Sequence, residues 1–214
     1  MKYHLFDYPH RTIRNLMFRI SRELCTCTRF SEFQQMMSRV NDLQFLLNNH
    51  LFTENQIIVP YLSAELIEES DAEHHNLEEE EQRMFNFLYG IDEAKFEQEH
   101  ATIELMFNRF VGNYLLHMHT EETLFQDYIW MKYSEEQQAL IVMEIVRKFS
   151  PGENWMWMKY GLPFVPQEVR RERIQRGIGG LSSKQIYDLM AALNESLSAD
   201  HYQELYQMIL SVKA

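Results

Sequence analysis

The 214 residues carry 20 Lys and Arg against 32 Asp and Glu, a formal charge of −12, and 45% of them are hydrophobic. That apolar content suffices for one substantial core, whereas the acidic surplus repels phosphate backbones and argues against a nucleic-acid partner. No run approaches the ~20 apolar residues of a membrane span. The N-terminus is charged where a signal peptide is apolar, so a cytoplasmic protein with no membrane partner is expected.

Only seven glycines and five prolines punctuate the chain, which favours long helices over short strands and an all-α fold. From Pro9 the apolar positions Ile13, Met17, Ile20 and Leu24 recur at helical spacing and define a first helix. Cys25 and Cys27, one residue apart, are too close for a disulfide and too few for a thiolate metal site, so reduced thiols on the helix are expected. Ser31 is the expected N-cap of a second helix, with Phe33, Met36, Met37, Val40, Leu43 and Leu47 as its stripe, running through Ile57 and Ile58 to Tyr61. A third helix starts at Ala64 or Asp71 and runs to Leu88, with Leu77, Met84 and Phe85 on its apolar side. A fourth follows Asp92 and continues through Phe107, Phe110 and Tyr114 to Trp130.

Residues 1–133 therefore form an up-and-down four-helix bundle, and residues 134–214 a C-terminal helical extension packed on or beside it. In the extension, Ala139 to Phe149 is a short helix, ended at Ser150-Pro151-Gly152. A Met/Trp-rich stretch and a basic, glycine-interrupted segment follow. Two last helices occupy Ser182 to Asn194 and Ala199 to Val212.

Polar residues that can bind metal interrupt the apolar stripes in phase with them. His10 falls on the first stripe, His50 and Glu54 on the second, His74 on the third, and His117 and Glu121 on the fourth. Burying a carboxylate without a partner costs several kcal/mol, and a cation satisfies two buried carboxylates at once. The i,i+4 spacing stacks each His and Glu one turn apart on a helix face. Short connections make consecutive helices antiparallel, so all four histidines arrive at one end of the bundle. His74 rather than its neighbour His75 keeps phase with Leu77. Glu78 is either a further ligand or part of the solvated run to Glu81. His119 lies on another face, and His100 is too far along its helix to share the site. Imidazole and carboxylate without thiolate suit iron, manganese or zinc.

The stretches PHRTIR, NNHLFTENQIIVPYL, AEHHNLE and LLHMHTEETLF, in this order over residues 9–130, resemble the hemerythrin family in its HHE cation-binding branch. The resemblance implies two iron ions bridged by carboxylates and an oxo or hydroxo group. It makes His10, His50, His74 and His117 the terminal ligands, with Glu54 and Glu121 the bridges. Two departures count against reversible oxygen carriage: oxygen carriers have a second histidine where this chain has Glu78, and an aspartate five residues after the last histidine where this chain has Glu121 at four. The pattern is closer to the hemerythrin-like domain of an iron-sensing F-box protein.

The expected function is a binding module that takes up or senses oxygen, nitric oxide, peroxide or iron. The C-terminal helices are the expected surface for a homodimer or another protein partner. A di-iron oxidase or peroxidase, drawing on extra carboxylates such as Glu78, and a metal-free structural bundle are the alternatives.

Overall fold

In a computed structural model of the protein, residues 2–213 are described, and among them there is no strand. Helix α1 (Asp7–Thr26) buries Ile13, Leu16, Met17, Ile20 and Leu24, one face at helical period. Each such side chain taken from water contributes roughly 1.5–3 kcal/mol. Cys27 is buried just past the end of α1, Cys25 is exposed on it, and both thiols are free.

Helix α2 (Phe30–Thr53) starts one residue before Ser31. The Glu32 carboxylate accepts from the backbone N–H groups of Thr28 at 3.0 Å and Arg29 at 3.2 Å, which makes Arg29 the cap and leaves Ser31 inside the first turn. The helix then continues into a π-helical turn, Glu54–Ile58, and a short 3₁₀ turn, Val59–Tyr61.

Helix α3 (Ala64–Tyr89) takes the longer of the two expected starts, because Ser63 caps it by accepting from the Leu66 N–H. Helix α4 (Glu93–Thr120) is capped by Asp92, passes through a second π-helical turn, Glu121–Phe125, and ends in α5 (Gln126–Lys132).

These elements form an up-and-down four-helix bundle in which α1 packs on α2 and α4, and α3 packs on α4. At the end away from the histidines, the Phe96 ring lies 5.4 Å from that of Phe33 and 6.0 Å from that of Phe30, and α4 overhangs this aromatic plug by about one turn.

The extension holds more helix than the sequence suggests. Helix α6 (Glu135–Lys148) begins four residues before Ala139, since Ser134 and Gln137 build a capping box. The Met/Trp stretch is helix α7 (Pro151–Gly161), and the basic segment is helix α8 (Gln167–Gly177). Neither shows an apolar stripe. α7 is buried on several sides, and α8 places Arg170 beside Ile174 on its buried face, where the guanidinium donates to the carbonyls of Leu162 and Val165. Helices α9 (Ser183–Ser196) and α10 (Ala199–Lys213) complete the chain.

Three apolar cores result among the described residues. The largest fills the bundle and takes in Met156, Trp157 and Tyr160 from α7. A second unites α8, α9 and α10 around Ile174, Leu189 and Leu205. The third caps the histidine end with Phe6, Ile57, Ile58, Phe125, Ile129 and, from α6, Ile141. No helix among the described residues is long and apolar enough to cross a membrane.

Candidate metal centre

All six residues singled out in the sequence are buried and meet at one end of the bundle. His10 Nε2 lies 3.1 Å from His50 Nε2 and 3.1 Å from Glu121 Oε2, and His50 Nε2 lies 3.1 Å from Glu54 Oε1. Across the same carboxylates, His74 Nε2 is 3.8 Å from Glu54 Oε2 and 3.7 Å from Glu121 Oε1, while His117 Nε2 is 3.3 Å from Glu121 Oε2. Two groups of four ligand atoms follow: His10, His50, Glu54 and Glu121, and Glu54, His74, His117 and Glu121, each within 4.8 Å of one another. Glu54 and Glu121 belong to both.

Apart from the His10–His50 contact, which is a hydrogen bond between the two Nε2 atoms, these proximities are not hydrogen bonds. Both oxygens of Glu54, Oε2 of Glu121 and Nε2 of His74 are buried without a hydrogen-bond partner. Buried polar atoms are seldom left so, and several in one small volume require a common partner. Four imidazole nitrogens and two carboxylates, without thiolate, form a donor set for an intermediate or hard divalent cation. The residues therefore fit a metal.

The outward nitrogens are held separately. His10 Nδ1 lies 3.0 Å from Glu122 Oε1, His74 Nδ1 2.8 Å from Asn55 Oδ1, and His117 Nδ1 2.8 Å from Glu73 Oε2. Such partners fix the tautomer of a ligating histidine and leave Nε2 free for the ion. Sequence reasoning missed all three. Two of them, Asn55 and Glu122, directly follow Glu54 and Glu121 at the start of a π-helical turn, which an ideal helical period does not reveal. In that turn the first residue points inward and the next reaches a histidine of another helix; π-turns are often functional.

The charges are coupled. Burial pushes the Glu54 carboxyl up to about 7, reinforced by the neighbouring Glu121. Burial acts the same way on Glu121, but His10, His74 and His117 outweigh it and hold that carboxyl well below its usual range. Burial also opposes charge on His10, yet Glu121, Glu122 and Glu54 raise its pKa well above the ordinary value. His50 is driven well below its ordinary value by burial and by the charge on His10. Glu122, hydrogen-bonded to His10 and to Arg14, falls to about 2 although its partial burial opposes this. Protons thus occupy the cluster when no cation does, and binding one releases them.

The remaining sequence candidates lie elsewhere. His75 points to solvent near Glu79, and Glu78 and His119 are exposed. His100 packs edge-on to Phe96 at the opposite end; of the other histidines, His4 packs edge-on to Trp130 and His201 is exposed. Tyr114 is buried, with its ring centroid 5.8 Å from that of His117. Its phenol is pushed well above its ordinary pKa by burial and then by Glu81, Glu54 and Glu121, so it remains a proton donor.

Fold and site together define a helical-bundle protein with a buried His/Glu cation centre. The sequence model of the hemerythrin HHE cation binding domain matches residues 1–129, and the chain belongs to that family. Searches of curated proteins and of solved structures gave no match.

Proposed function

We propose that the chain is a non-haem di-iron protein in which His10 and His50 hold one ion, His74 and His117 the other, and Glu54 and Glu121 bridge the two. The observation that carries this reading is the shared pair of carboxylates: both ligand groups include Glu54 and Glu121, whose orphaned oxygens face both pairs of imidazoles. Helix-borne His and bridging Glu are the donor set of di-iron and di-manganese carboxylate proteins, which leaves manganese or zinc as lesser occupants. Iron would supply reversible one-electron chemistry and affinity for oxygen, nitric oxide or peroxide.

The protein's own contribution is positioning and exclusion. All six ligand residues are at most 4% exposed, so only molecules of a few atoms reach the centre, which supports a diatomic gas or peroxide as the partner. Each helix pair offers two imidazoles, and Glu78 is solvent-exposed in place of the additional histidine of oxygen carriers. That balance supports sensing rather than oxygen transport. The ligand helices are also gripped from outside. Tyr8, two residues before His10, donates to the Trp157 carbonyl at 2.8 Å. Asn49, next to His50, accepts from the Trp157 indole N–H at 2.7 Å and donates to Glu153 at 2.9 Å. A change at the centre would reach the extension, and any partner on it, through these contacts.

The deciding experiment is metal analysis of protein purified without added metal, followed by anaerobic ferrous loading and exposure to air. About two irons per chain and a new near-ultraviolet charge-transfer absorption are expected. A stoichiometry near zero, with zinc and manganese also absent, overturns the reading.

A further inference from the structure

A cleft of about 450 Å³ opens beside the metal centre and is lined by His4, Asp7, Arg11, Arg14, Asn15 and Glu122 among others. Its chemistry runs against that of the whole chain. Among the first 22 residues the charged side chains are Lys2, Arg11, Arg14, Arg19 and Arg22, with Asp7 as the single acid, although the protein as a whole carries −12. The N-terminal segment is thus basic within an acidic chain, and the cleft takes from it Arg11 and Arg14, each paired with one acid, Asp7 or Glu122.

The two guanidiniums in the cleft are only partly used. Arg11 donates through Nε to Asp7 Oδ1 at 2.6 Å. Arg14 donates through Nη2 to Glu122 Oε1 at 2.7 Å and touches Met118 Sδ at 3.9 Å. Their remaining N–H groups have no hydrogen-bond partner among the described residues, and both side chains are accessible, Arg11 by 47% and Arg14 by 29%. Asp7 and Glu122 anchor the forks without occupying them. A guanidinium fork with free donors matches an oxyanion with two or more oxygens, whereas a cation would meet only carboxylates already engaged.

We propose that this cleft binds a small oxyanion, of the phosphate or carboxylate class, between Arg11 and Arg14. The site also communicates with the metal centre, and that second part rests on the di-iron reading. Glu122 Oε1 receives both Arg14 Nη2 and His10 Nδ1, the latter at 3.0 Å. An anion that shares Arg14 leaves Glu122 a stronger acceptor for His10, and so alters the donor strength of one metal ligand. Asn15, also on the lining, donates Nδ2 to the Arg11 carbonyl at 2.6 Å, which leaves its amide oxygen uncommitted.

The test begins with metal-free, full-length protein titrated with inorganic phosphate and with malonate, followed by the arginine side-chain resonances, with sodium chloride at matched ionic strength as the control. Saturable binding with a dissociation constant on the order of 1 mM is expected for at least one probe, and the tighter of the two identifies the oxyanion class. Arg11→Gln and Arg14→Gln should each weaken it about tenfold, Arg14→Lys should restore it only in part, and Arg22→Gln should leave it unchanged. Shifts reproduced by chloride, or unchanged affinity in both glutamine variants, overturn the proposal. Circular dichroism verifies that each variant is folded. The second arm adds sulfate, a weak metal ligand, to cobalt-loaded protein. A change in the cobalt spectrum that Arg11→Gln abolishes supports communication, and a spectrum unmoved at saturation overturns it. Failure to load cobalt or iron counts against the di-iron reading alone, because anion binding is decided without metal.

Discussion

Glu73 and His117 are joined by a 2.8 Å contact between Oε2 and Nδ1, and the other Glu73 oxygen accepts from the Thr120 hydroxyl at 3.3 Å. The carboxylate therefore does not simply neutralise a surface imidazole. It fixes which nitrogen of His117 faces Glu121. Burial opposes charge on this ring, but Glu73, Glu121 and Glu54 outweigh it and raise its pKa.

Glu73→Gln and Glu122→Gln keep shape and hydrogen-bonding capacity while removing charge. Each should lower metal affinity by about 10–100-fold with little loss of fold, as outer-sphere partners of ligating histidines do. Competition against a chelator of known affinity measures this. Affinity unchanged in both variants would show that these carboxylates only solvate the bundle surface.

Glu54→Gln separates the metal reading from a purely structural one. With a metal centre, the substitution removes a ligand shared by both halves, and bound metal should fall below half of its wild-type content. The metal-free protein should move the other way. The Glu54 carboxyl is buried and raised to about 7, so its ionisation at higher pH opposes folding, and the amide relieves that cost. Thermal melts above pH 8 with and without metal check both signs. A variant that keeps its metal would exclude Glu54 as a bridge.

His74→Ala should abolish binding in the α3–α4 half of the centre, whereas His75→Ala and Glu78→Gln should leave metal content within error of wild type. His74 is buried among the ligand atoms, and the other two are exposed. The choice between adjacent histidines was already legible in the sequence, since only His74 keeps phase with Leu77 and Met84. So was the meeting of six residues at one bundle end, because helix period and antiparallel order fix it. The outer partners were not, for a reason of geometry: Asn55 and Glu122 reach their histidines only because the helices widen into π-turns at Glu54 and Glu121, and an ideal 3.6-residue period places them on the wet face. α7 and α8 escaped notice because their burial is not one-sided. Arg170 on a buried face breaks the apolar pattern that would mark α8.

Glu81, seven residues after His74, is a second source of pH dependence. Its carboxyl is buried and pushed up to about 7, by burial and then by Glu78. A carboxyl whose folded pKa lies above the unfolded one favours the fold in its protonated form. That contribution is complete below about pH 4 and is lost as pH rises through 7. Glu81→Gln should therefore leave stability at pH 5 nearly unchanged and raise it by up to about 3 kcal/mol at pH 8. Urea titrations of the metal-free protein at both values check this. Equal effects at the two pH values would place the ionised carboxylate in contact with water or a cation.

Trp157 tests whether the extension folds with the bundle. Its side chain is 4% exposed in the main core, and its indole N–H is bonded to Asn49, the neighbour of His50. Trp157→Ala should cost about 3–5 kcal/mol by emptying the space between α7 and the bundle. Trp157→Phe keeps most of the volume but strands the Asn49 carbonyl, which should cost about 1–3 kcal/mol. If α7 is part of the bundle's cooperative unit, wild-type protein unfolds in one calorimetric transition that both variants shift downward as a whole. Two transitions, of which only the smaller responds, would instead mean that the extension melts independently, and a signal from the metal centre could not then be carried through Asn49 and Trp157.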